Sequence, residues 1–83
     1  MRSLKGTVFI RTTVFAFTGV VQKEEDGWVF LCPAMWLADT GPFTQFLRDG
    51  YQNTEREEYI DGTWINLSLV TDWTPWKHDV IPT

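Results

Sequence analysis

The stretch 28–43, WVFLCPAMWLADTGPF, constrains the fold more than any other. Trp28, Val29, Phe30 and Leu31 have no polar residue between them, and an unbroken β-branched and aromatic run reads as a central strand covered on both faces. Pro33 interrupts it. Lacking an N–H, Pro33 cannot donate to a ladder, so a bend or bulge is expected there before the chain continues through Ala34, Met35 and Trp36. Asp39, Thr40 and Gly41 offer capping groups, Pro42 suits a first helical position, and Phe43, Phe46 and Leu47 recur at helical spacing until Gly50. One short helix over 42–49 is predicted.

On the N-terminal side, residues 7–11 and 14–21 are rich in Val, Ile, Phe and Thr, separated by little more than Thr12 and Thr13. They read as a hairpin or sharply bent strand. No Gly or Asn supports a tight tip, so a wider loop that includes Arg11 is expected. Asp26-Gly27 marks the next turn, into the central strand.

After the helix, residues 51–58 are polar and read as a surface crossing, with a strand starting at Tyr59 and Ile60. Asp61-Gly62 carries the strongest hairpin signal in the chain. Beyond it Ile65, Leu67 and Leu69 alternate with Trp64, Asn66 and Ser68, which gives one apolar face to a closing strand. The segment 70–83 reads as an extended aromatic tail pinned by Trp73 and Trp76. The order predicts an α+β, mainly β fold: a small curved antiparallel sheet or open barrel of about five strands with one short helix.

The 83 residues are expected to form a single domain, 1–83, and a chain this short buries only about 60 to 65% of its unfolded surface, enough for one limited core. Five Trp, six Phe and two Tyr exceed what so small an interior encloses comfortably, which points towards a homo-oligomer. The net charge of -4 opposes binding to a nucleic-acid polymer, which needs a basic face. Cys32, the single cysteine, excludes an internal disulfide and reads as a buried, inert thiol in a reducing compartment. No run is long enough to span a bilayer, and the first residues lack the features of a signal peptide. The protein is expected to stay where it is made and to have no membrane partner.

No catalytic motif, metal site or cofactor-binding motif is predicted. His78 is the only histidine, so a zinc site of Cys and His cannot form within one chain, and its expected role is exposed or helix-capping. Glu55, Glu57, Glu58 and Asp61, flanked by Arg56, read as a solvated face. Ligand binding has more to work with. Arg11 beside Thr12 and Thr13 supplies a bidentate donor and two hydroxyls suited to phosphate or carboxylate, and Trp36 with Asp39 and Thr40 offers a stacking face and acceptors for a base. Their structural alternatives are a surface ion pair for Arg11 and a packing role for Trp36. Trp64, Trp73 and Trp76 are candidate anchors for a protein partner.

The runs VFIRTTVFAFTGVV, AMWLADTGPFTQFLRDG and VTDWTPWKHDVIP resemble a family of short proteins encoded by bacteriophages and prophages, a domain of unknown function. The resemblance lies in Ile10-Arg11-Thr12, Thr18-Gly19, Met35-Trp36, Gly41 and Phe46-Leu47, while the tail Trp76-Lys77-His78 matches only part of the family. It implies a small non-enzymatic phage accessory protein acting in the cytoplasm of a bacterial host. By analogy of class, the expectation is an anti-defence homo-oligomer that sequesters a nucleotide-type immune signal. The alternatives are an inhibitor or adaptor that binds a host protein, and a virion structural or assembly component.

Overall fold

The computed structural model describes residues 4–52 and 54–82. Among these residues six strands form one antiparallel sheet: β1 (Thr7–Thr12), β2 (Ala16–Glu25), β3 (Trp28–Leu37), β4 (Arg56–Tyr59), β5 (Thr63–Asn66) and β6 (Val70–Pro75). One helix, α1 (Phe43–Asp49), follows β3, and a 3-10 turn, η1 (Leu67–Leu69), joins β5 to β6. The predicted class holds, with an open curved sheet.

β3 is the spine. One edge pairs with β2 along nearly its whole length, from Ala16 opposite Leu37 to Glu25 opposite Trp28. The other edge is shared: β4 pairs with Ala34 to Leu37, and β5 with Trp28 to Leu31. The two strands therefore run in line, and Ile60, Asp61 and Gly62 loop out between them opposite Cys32 and Pro33. Asp61-Gly62 is thus not a hairpin turn, contrary to its sequence signature. Since Pro33 offers no donor, the neighbouring strand gains nothing by pairing there, and the turn-forming residues serve to leave the ladder and rejoin it.

Gly62 is required at this gap. Its φ is +79°, and a Cβ would sit 2.5 Å from the carbonyl oxygen of Leu31 and 2.8 Å from Cys32 Cβ. On the β2 side the register shifts around Val21, and Gln22 Nε2 donates to the Cys32 carbonyl at 2.5 Å. A Cβ on Gly19 would lie 2.8 Å from Leu31 Cβ, so β2 also needs a glycine to pass this point.

The connection through η1 requires the sheet to curl. In the order β5-β3-β2-β1-β6 the outer strands are four lanes apart, about 19 Å in a flat sheet. Four 3-10 steps cover only about 8 Å. Asn66 ends β5 by accepting from Ser68 N at 3.0 Å, and Leu67 N–H bonds to Gly27 O at 2.9 Å. The predicted strand through Leu69 therefore stops at Asn66, because this side chain competes with the ladder.

Both faces of the sheet carry a core, whereas composition suggested only one. Val8, Ile10, Phe17, Val29, Leu31, Ala34 and Ile65 form the inner cluster. Phe9, Met35, Leu37, Phe46, Tyr51, Trp76 and Val80 form the outer one, where α1 and the tail cover the sheet. Strict alternation assigns Val8 and Ile10 to one side and Phe9 to the other. The outer cover reaches only part of β3. Trp28 is 43% exposed and Phe30 half-buried, so this end of the strand is covered on one face rather than two.

Thr12 extends β1 past its expected end and builds the turn that follows. Its hydroxyl donates to Phe15 O at 2.8 Å and accepts from Phe15 N at 3.1 Å, giving the tip closure that Gly or Asn would otherwise supply. Arg11 accordingly lies within β1, not in a loop. At the next hairpin Asp26 and Gly27 both have positive φ, 53° and 82°, the two-residue turn predicted for this pair.

The helix ends where Gly50, at φ 85°, donates from its backbone N–H to Phe46 O. His78 also caps it, with Nε2 2.9 Å from Leu47 O. Tyr51 then turns into the outer core, sharing a 2.5 Å hydrogen bond with the buried Thr18 hydroxyl and donating to Val80 O at 2.7 Å. Burial pushes the Tyr51 pKa up, partly offset by its hydrogen bond with Thr18.

Replacing Gly62 by Ala is expected to destabilise the protein by about 2 to 4 kcal/mol, from positive-φ strain plus overpacking. Gly27→Ala, where a Cβ meets nothing within 4 Å, is expected to cost only about 1 to 2 kcal/mol. Urea denaturation of both variants checks this, and equal losses would show that the gap opposite Pro33 is not tight.

Candidate functional site

Arg11 and Asp72 face each other across β1 and β6, and this register fixes the guanidinium. Arg11 Nε donates to Asp72 Oδ1 at 2.7 Å, Nη2 pairs with Oδ2, and the guanidinium carbon lies 4.3 Å from the centre of the Phe43 ring. The fork is therefore occupied by a carboxylate of the same chain. The hydrogen bonds to Arg11 lower the Asp72 pKa, desolvation opposes them, and the pair raises that of Arg11. Both side chains are nearly half exposed, so water screens the pair.

Four of the predicted ligand-binding residues do meet. Arg11, Thr12, Asp39 and Thr40 border one shallow depression of about 190 Å³, together with Phe15. Within it, however, the polar groups have internal partners: the Thr12 hydroxyl holds its own turn, and Asp39 Oδ1 accepts from Gly41 N at 2.9 Å. Thr13 donates from its backbone to Leu69 O at 3.2 Å and does not border the depression. Trp36 is half-buried against the inner core, meets Phe15 edge-on at 5.1 Å, and borders a separate hollow with Glu57, Glu58 and Tyr59. A stacking indole and a free guanidinium are not assembled in one pocket of a single chain.

The three candidate anchors separate in the same way. Trp76 is 4% exposed and packs among Phe9, Phe46 and Tyr51 with ring centres 5.0 to 6.0 Å away, so it is a core residue and not an anchor. The tail brings it there because Trp76 N–H bonds to Thr7 O at 2.9 Å, one step beyond β6. Trp64 is 40% exposed on the outer face of β5, stacked on Phe30 at 5.1 Å with Lys23 Nζ 5.3 Å from its ring centre. Cys32 is half-buried, not buried, because the outer cover does not reach it.

Trp73 borders an open concavity of about 670 Å³ whose parts the sequence did not bring together. Its apolar floor is Leu4, Leu67, Val70 and Trp73, all on the inner-core side of the sheet. Glu24 and Asp26 stand on the rim. The groove exists because η1 carries the chain from β5 to β6 without those strands pairing, leaving the inner core open along the seam. The only local signal was the acidic run Glu24-Glu25-Asp26 beside a turn, and nothing in the sequence placed it next to Trp73.

Among the described residues, no group of three or more His, Cys, Asp or Glu side chains is arranged to hold a metal ion. No described helix is long and apolar enough to cross a membrane. No protein-family model matches the chain, and no curated protein matches it.

Asp72→Asn is expected to lower stability modestly at neutral pH. A depressed carboxylate contributes stability above its unfolded pKa of 3.8 and loses it as the pH falls through the folded value, so the difference from wild type should close in acid. Urea midpoints at pH 7 and pH 2 check this. A difference of equal size at both pH values would remove the ion pair as its cause.

Proposed function

We propose that this chain is a protein-binding inhibitor or adaptor that docks a segment of its partner in the groove between the β2–β3 turn, η1 and β6. The observation that carries the reading is Trp73 in the floor of an open, apolar concavity large enough to bury several side chains of a partner. Aromatic residues at the bottom of such grooves supply most of the binding energy at protein interfaces, because they remove large apolar area from water at small entropic cost. The acidic rim supports a protein ligand over a phosphate-bearing one, since Glu24 and Asp26 repel an anion.

The nucleotide-capturing oligomer expected from sequence has one supporting observation, the gathering of Arg11, Thr12, Asp39 and Thr40 around a common depression. It requires Asp72 to release Arg11 and a second subunit to supply a stacking ring. In either case the resemblance to phage-encoded proteins supports the cytoplasm of a bacterial host as the place of action.

Trp73→Ala and Leu67→Glu are expected to abolish capture of a host protein by the tagged chain, whereas Trp64→Ala and Arg11→Ala should leave it intact. Affinity purification with quantitative mass spectrometry checks this, after circular dichroism has shown that each variant folds. Loss of the captured protein through Trp64→Ala alone would move the docking surface to the outer face of β5.

A further inference from the structure

Resting on the reading of the groove as a docking site, we infer that its occupant is an extended, cation-bearing peptide segment that adds as a strand to the outer edge of β6. Three observations converge on this. The first is charge. Glu24 alternates towards the same face as Val29 of the inner core, Asp26 caps the turn beside it, and neither has an ion-pair partner among the described residues. Asp72, the third acid of the lining, is paired with Arg11, but among the described residues no Lys or Arg itself borders the groove, so its rim is negative at Glu24 and Asp26, and a Lys or Arg of the ligand supplies the complementary charge.

The second is the free strand edge. Among the described residues β6 ends the sheet order and pairs only with β1. Trp76 N–H bonds to Thr7 O, and Thr7 stands next to Val8, which faces Pro75. Antiparallel alternation then turns Thr74 and Asp72 towards β1 and directs the backbone N–H and C=O of Trp73 outward. Pro75 occupies the other outward position, where its missing N–H costs β1 nothing but limits how far an added strand can extend. A partner strand is thereby confined to the part of β6 that borders the groove.

The third is the floor. An added strand presents alternate side chains to each face, so its inward residues would rest on Leu67, Val70 and Trp73 while a basic residue reaches the Glu24–Asp26 rim. Backbone pairing holds such a ligand, and the apolar floor with the acidic rim selects its side chains.

The test is a titration of the ¹⁵N-labelled full chain with three synthetic nonapeptides: Val and Leu alternating with Lys and Arg, the same with Asp and Glu, and the same with Ser and Gln. The expected result is that the cationic peptide shifts the Gly27, Ser68, Thr71 and Trp73 amides and the Trp73 indole. It should bind at least tenfold more tightly than the acidic peptide, with affinity falling as salt is added and slowed amide exchange at Trp73. Glu24→Gln combined with Asp26→Asn, both compatible with the turn, should reduce its affinity to that of the neutral peptide. Groove shifts that do not depend on peptide charge would overturn the cationic inference while leaving the groove as a docking site. Groove shifts without slowed exchange at Trp73 would overturn strand addition. Shifts confined to Trp28, Phe30 and Trp64, or absent altogether with all three peptides, would overturn both the inference and the reading beneath it.

Discussion

The missing N–H of Pro33 in the middle of β3 is the constraint on which the rest of the structure depends. A long central strand with an intact ladder would take one continuous partner on each edge. With Pro33 in place, the partner on one side divides into β4 and β5, and the partner on the other shifts register around Val21 while Gln22 satisfies the Cys32 carbonyl. Gly62 and Gly19 allow the two neighbours to pass so close. Bulges increase the local twist of a sheet, and here they lie beside one another on adjacent strands, where the sheet must curl for η1 to join its two ends.

That curl explains the distribution of the aromatic residues. A chain of this length encloses little volume on one side of a sheet, but alternation along β1, β2 and β3 feeds two clusters, one held inside the curl and one beneath α1 and the tail. Tyr51 and Trp76 seal the outer one, tied to Thr18 and Val80 through the Tyr51 hydroxyl. The second core absorbs Phe9, Phe43, Phe46 and Trp76, so the aromatic excess that suggested subunit contacts has a large intramolecular share. The aromatic side chains left outside are chiefly Phe15, Trp28 and Trp64, on surfaces that neither α1 nor the tail reaches.

Local rules read well wherever the structure is locally determined. Asp26-Gly27 makes its turn, Pro42 and Gly50 bracket the helix, and the interruption at Pro33 falls where the lost donor requires it. They fail where two distant segments share the decision. Asp61-Gly62 has the chemistry of a hairpin turn but lies opposite Pro33, and only the pairing partner reveals that it serves as a bulge. Thr12 does the work of a glycine through its hydroxyl, and Asn66 ends a strand whose alternation continues through Leu69. Of the candidate site, Arg11, Thr12, Asp39 and Thr40 could be named from residue type, but their gathering around one depression follows from the fold, and the Asp72 carboxylate that occupies the guanidinium comes from 61 residues away. The groove at Trp73 was not legible at all, because it is formed by the curl.

Nuclear Overhauser contacts between backbone protons decide whether residues 56–66 form one interrupted strand along β3. Cross-strand contacts are expected to link Tyr59 with Ala34 on one side of the gap and Thr63 with Leu31 on the other. Contacts between Ile60 and Thr63 and between Tyr59 and Trp64, without those to β3, would mean that Asp61-Gly62 closes a hairpin, and would contradict both the role of Pro33 and the origin of the groove.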